Sequence, residues 1–77
     1  YRGELRALLN RALQLLPAEQ RVVVVLKEYQ GLKFSEIAEV LDAPLNTVKS
    51  RLYYGLKALR KIFDQWNIDE ETISYEL

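Results

Sequence analysis

Between Leu45 and Phe63 the chain carries five basic residues, Lys49, Arg51, Lys57, Arg60 and Lys61, and no acid. Interleaved with them are the hydrogen-bonding side chains of Asn46, Thr47, Ser50, Tyr53 and Tyr54. Cationic groups attract polyanions, and amides and hydroxyls bond to phosphate oxygens and base edges. The chemistry this set can do is recognition of a nucleic acid. Bond-making chemistry has little to work with. The chain has no His and no Cys, which removes imidazole bases, thiol nucleophiles, disulfides and the usual zinc ligand sets. It has no Gly-rich phosphate loop, and its acids lie mainly on helix surfaces, so no enzyme activity and no cofactor is expected. A basic but idle surface helix is the competing reading of the same residues.

A helix is needed to aim these groups in one direction. Val48, Leu52, Leu56, Leu59, Ile62 and Phe63 recur at spacings of three and four, which predicts an amphipathic helix from Leu45 or Asn46 to at least Phe63. Ser50, Tyr53, Tyr54, Lys57 and Lys61 take the opposite face. Adjacent Tyr53 and Tyr54 diverge by about 100°, so both cannot enter the core. Either one packs its ring against the body with a wet hydroxyl, or at least one meets a base or phosphate.

Three further helices are predicted before it. Leu5, Leu8, Leu9, Ala12, Leu13 and Leu16 form one apolar face, and Pro17 ends that helix and suits the first turn of the next. Residues Ala18 to Gln30 include four consecutive valines, a strand signal locally. Their helix-forming flanks and the lack of a partner strand argue for a helix buried on more than one side, stopped by Gly31. Phe34 to Leu41 is a short helix with Ile37, Ala38 and Leu41 on one face, broken by Asp42-Ala43-Pro44. The fold class is therefore all-α: a small four-helix domain with a C-terminal helix-turn-helix at about 34–63. A helix of this kind fits the DNA major groove, and its first turn offers free N–H groups to phosphate. Ala38 is small where the two helices must cross, and Val48 is placed to pin the second one to the core.

The 77 residues balance 11 basic against 11 acidic side chains. The zero hides a segregation. Residues 1–63 hold all the basic residues and six acids, a net charge of +5, whereas 64–77 hold five acids and no base, −5. Such asymmetry is a hint of nucleic-acid binding. The division expected is a domain over 1–66 and an acidic tail over 67–77. Trp66 continues the apolar spacing, so the last helix is expected to reach about Asn67. Ile68, Ile73, Tyr75 and Leu77 could anchor the tail against the domain or a partner, its acids competing with phosphate; a disordered end is the alternative. No apolar run approaches the roughly 20 residues of a membrane span, and no basic-then-apolar signal-peptide pattern is read in these residues. With Tyr1 first and no Met, the chain is expected to be a fragment of a longer protein.

Leu16-Pro17-Ala18-Glu19-Gln20-Arg21, Gly31-Leu32, Glu36-Ile37-Ala38-Glu39-Val40-Leu41 and Thr47-Val48-Lys49-Ser50-Arg51-Leu52 together carry a resemblance. They resemble the C-terminal domain, region 4, of bacterial RNA polymerase sigma factors of the extracytoplasmic-function type, over roughly Leu5 to Phe63. The resemblance implies a cytoplasmic domain that recognises the −35 promoter element while docked on the polymerase β flap. An anti-sigma factor is implied as a further partner. By position, Lys49, Ser50, Tyr53 and Tyr54 match base-facing residues. Thr47, Arg51 and the opening of the third helix (Lys33, Ser35, Glu36) match backbone contacts. Asn46 and Lys57 complete the candidate DNA-binding set.

The chain departs from the family in two places. Lys33 stands where a Ser or Thr cap is common, and losing such a cap costs about 1 kcal/mol unless Ser35 caps a shorter helix. Tyr54-Gly55-Leu56 stands where Arg-Ala-Arg is common. Tyrosine cannot make arginine's bidentate contact to guanine, so the relatives' promoter sequence does not carry over. Gly55 costs roughly 1 kcal/mol against Ala inside a helix, a cost compatible with a close approach by another helix. Two other functions fit the outline: the DNA-binding output domain of a response regulator, which shares Thr-Val-Lys, and a helical adaptor that binds only protein.

Overall fold

A computed structural model describes residues 2–68. Its elements are α1 (Arg2–Gln14), α2 (Ala18–Val24) continued by a π-helical turn (Val25–Tyr29), α3 (Phe34–Leu41) and α4 (Leu45–Gln65). The all-α, four-helix expectation holds. The tail anchors proposed beyond Ile68 lie outside the described residues.

α1 reaches the core along the spacing that predicted it. From α1, Leu5, Leu9, Ala12, Leu13 and Leu16 are buried, with Leu8 half-buried at the edge. Ile37 of α3, Val23 of α2 and Val48 of α4 are the most completely enclosed large side chains. The valine run is helical, with Val23 and Val24 buried on adjacent faces. The single helix expected over Ala18 to Gln30 is corrected in its last turn. Gln30 N–H donates to Val25 O at 3.1 Å and Leu32 N–H to Leu26 O at 3.0 Å, so the backbone widens before Gly31 reverses it at φ 71°. β-branched side chains crowd the preceding helical turn, and the wider turn follows them directly. Pro17 is also adjusted: it precedes α2 as its cap residue (φ −54°, ψ 144°), and its carbonyl accepts from Arg21 N–H at 3.0 Å.

Leu56 is the clearest correction. Predicted on the buried face of α4, it is 40% exposed. The buried line runs Val48, Leu52, Gly55, Leu59, Phe63, which keeps the three-and-four spacing but passes through the glycine. A Cβ on Gly55 would lie 2.8 Å from Val24 Cγ2 and 3.4 Å from Gln20 Cβ. α2 therefore crosses α4 at Gly55, and the close approach allowed by that glycine is real. Leu56, one residue further round, is turned out.

Two αL caps set the lengths of α3 and α4. Asp42 has φ 50° and ψ 51°. Its N–H donates to Glu39 O at 3.3 Å, and Ala43 N–H reaches Ala38 O at 3.0 Å. That is the Schellman pattern, which usually employs Gly. Asp at this site carries both the Cβ penalty and a negative charge at the negative end of the helix dipole. Asp42→Gly is thus expected to raise the unfolding free energy by about 0.5–1 kcal/mol, read as a higher midpoint at unchanged slope in urea. At the end of α4, Asn67 (φ 59°) repeats the pattern, with Ile68 N–H on Phe63 O at 2.9 Å. The helix stops at Gln65 rather than Asn67. Ile68 packs on the core beside Trp66, and the Arg11 guanidinium lies 5.8 Å from the Trp66 ring centre. At the start of α3, Lys33 offers no side-chain cap, but its N–H donates to Glu36 Oε1 at 2.8 Å. Half of a capping box survives without Ser or Thr.

Candidate nucleic-acid interface

α4 turns its unburied side outward over about three turns from Asn46 to Lys57. Asn46, Lys49, Ser50, Tyr53, Tyr54 and Lys57 are all exposed, while Thr47 and Arg51 are half-buried at one edge. The helix is held by Val48 and Leu52 beneath them. Neither tyrosine packs into the body: Tyr53 is 60% and Tyr54 55% exposed. Their rings meet each other instead, edge to face with centres 5.2 Å apart. Lys57 Nζ stands 5.9 Å from the Tyr53 ring centre. The pair forms one aromatic ridge on the outer face of the helix, with a cation at its end.

A second cluster forms where α3 begins. Phe34 is half-buried, with Lys27 Nζ 4.4 Å and Lys49 Nζ 5.7 Å from its ring centre. Cations are held over an aromatic face by its quadrupole. Lys27 also donates to Leu32 O at 3.2 Å. Two ammonium groups thus converge on the start of α3, and Lys33 is exposed at the position before it. Sequence reasoning missed Lys27, which reads as an ordinary helix former. Only the turn at Gly31 folds it back onto Phe34. Ser35 and Glu36 open α3 beside this cluster, both exposed, and Glu36 is occupied by the Lys33 N–H. Lys33, Ser35 and Glu36 thus lie at one end of the surface, with Lys49 as its link to α4.

On the other edge, α2 and α4 enclose a groove of about 310 Å³. Thr47, Ser50, Arg51 and Tyr54 line it from α4 together with Asn46, and Glu19 and Gln20 line it from α2. Glu19 and Gln20 were not among the residues expected at the interface. Among the described residues, Lys49, Arg51, Lys57 and Lys61 make no ion pair, whereas Arg60 and Asp64 approach to 3.9 Å with both side chains largely in water. Such a pair adds little stability. No group of acids or other ligands that could hold a metal occurs among the described residues. No described helix is long and apolar enough to cross a membrane.

Two helices joined by Asp42-Ala43-Pro44, the second anchored by one face and offering a basic, hydroxyl-rich face to water, define a helix-turn-helix domain of the DNA-binding class. The family described as Sigma-70, region 4 matches residues 6–59. The ECF RNA polymerase sigma-E factor of Escherichia coli (strain K12) is 38% identical over 56 residues, which cover 73% of this chain and 29% of that protein. The same identity and coverage hold for the sigma-E factor of Salmonella typhi. The RNA polymerase sigma-H factor of Pseudomonas aeruginosa is 35% identical over 60 residues, 78% of this chain and 31% of its own length. The chain belongs to the sigma-70 region 4 family, a helical, DNA-binding and non-catalytic family. It spans about three-tenths of the length of these relatives.

Proposed function

We propose that this domain recognises the −35 element of a bacterial promoter and docks on the β flap of RNA polymerase, so directing transcription initiation. Lys49, Ser50, Tyr53 and Tyr54 face the bases, with Asn46 and Lys57 beside them. Thr47 and Arg51 hold the backbone on one side, and Lys33, Ser35 and Glu36 on the other. The observation that carries this reading is the outer face of α4 from Leu45 to Phe63, free of acids and exposed while Val48, Leu52 and Phe63 fix the opposite face. An anti-sigma factor covering these surfaces is the regulatory partner that fits the family.

The test is a footprint of the full-length protein with core polymerase. Protection of one upstream element that depends on polymerase is the expected result. A palindromic footprint without polymerase would instead indicate an autonomous regulator. Absence of DNA binding in every condition would indicate a protein-only adaptor.

The acidic segment belongs to the same proposal. Its acids compete with phosphate for the basic body, which carries the opposite charge. Removing residues 69–77 while keeping Ile68, which packs on the core, is expected to tighten duplex binding several-fold at low salt. The difference should fade as the Debye length falls below about 10 Å. Equal affinity for the two forms at low salt would overturn this role.

A further inference from the structure

The groove between α2 and α4 has walls of opposite character. On the α4 side it presents donors: the Arg51 guanidinium, the Asn46 amide and the hydroxyls of Thr47, Ser50 and Tyr54. On the α2 side it presents acceptors. Glu19 is exposed and is the sole acid among the described residues that line the groove. Gln20 also lines this side, with its Oε1 buried and without a hydrogen-bond partner. Glu19 and Arg51 share the groove without forming an ion pair.

We propose that Glu19 is an affinity-limiting residue of the DNA interface, acting against the phosphate that Arg51 and Thr47 hold. The inference rests on the DNA-binding reading above. A phosphate drawn to Arg51 enters a space that already contains one fixed negative charge. Like charges within one groove repel, and the repulsion weakens with salt. Glu19 therefore subtracts from backbone attraction without touching a base. Binding then depends more on base contacts and on tethering by a partner, and less on charge alone. The plain alternative is that Glu19 serves only the dipole of α2, as an acid in a helix's first turn does. The two roles separate experimentally, because losing a dipole partner can only loosen the fold and cannot tighten DNA binding.

The experiment compares the full 77-residue chain with its Glu19→Gln and Glu28→Gln variants on short duplexes of several sequences. Affinity is read by fluorescence anisotropy across a salt series. Glu28 is exposed on the π-helical turn, outside the groove, and controls for net charge. Glu19→Gln is expected to bind every duplex about three- to tenfold more tightly at low salt, with sequence preference unchanged. Its plot of log affinity against log salt should steepen by up to about 0.9, the slope of one further neutralised phosphate. Glu28→Gln should move both quantities much less. In an Arg51→Ala background the Glu19→Gln gain should shrink, since neighbouring residues acting on one phosphate are not additive. Wild-type binding with no gain in Glu19→Gln, or an equal gain in Glu28→Gln, would overturn the inference alone. No binding by any form at low salt would overturn the DNA-interface reading as well.

Discussion

Gly55→Leu is expected to lower the unfolding free energy by about 3 kcal/mol, at the upper end of overpacking effects in a close-packed core. The Cβ alone would come within 2.8 Å of Val24 Cγ2. Val24 is 2% exposed, and a β-branched side chain in a helix has essentially one rotamer to use. It cannot step aside, so the helices must part. Leucine's better helix propensity returns only about 1 kcal/mol. For a domain of this size 3 kcal/mol corresponds to a melting temperature lower by on the order of 15 °C. Thermal and urea unfolding followed by circular dichroism would measure it. Gly55→Ala isolates the same contact: overpacking and the propensity gain oppose each other, leaving a loss of about 1 kcal/mol. Combining it with Val24→Ala should recover part of that loss, because the new Cβ enters space the valine methyls vacate. A double-mutant cycle with no coupling would mean that α2 and α4 do not meet at Gly55 in solution.

Lys49→Ala and Arg51→Ala should separate by kind as well as by size. Arg51 sits half-buried at the groove edge, in the proposed backbone-holding position. Its removal should weaken binding about tenfold on all sequences alike, as loss of a charged hydrogen bond of about 1.5 kcal/mol does. The salt slope should become shallower by about 0.9. Lys49 stands on the exposed face, linked to Phe34. Its removal should change preference among promoter sequences, by about 1–3 kcal/mol at the position it reads. Affinity measured against a panel of single-base variants distinguishes the two patterns. An unchanged preference profile in Lys49→Ala, at full affinity, would show that the recognition face is wrongly drawn.

Much of this architecture is legible in the order of the residues because helical spacing is a local code. A face repeating every three or four residues must be buried somewhere, and the α1 and α4 faces can be read with no knowledge of their partners. The exposed side of α4 is equally legible, since what is not buried on a helix is outward. The reading goes wrong where a neighbouring element decides. Leu56 reads as core because apolar residues on a helix usually are. Gly55 takes the buried line because α2 passes there; the glycine marks a close approach, but nothing within α4 says which helix makes it or that Leu56 is turned out by it. Lys27 reads as surface for the same reason: its approach to Phe34 depends on the reversal at Gly31. Glu19 reads as an ordinary first-turn acid until α4 is laid beside it.

Four helices, the three-residue break before α4 and the segregation of +5 from −5 are all written in the chain. Each follows from local propensity, punctuation or a count of charges, and none of these depends on packing. The crossing of α2 over α4 at Gly55 is decided by packing alone. So are the convergence of Lys27 and Lys49 on Phe34 and the groove that Glu19 shares with Arg51. Each of these pairs residues distant along the chain, and their meeting depends on how whole helices dock.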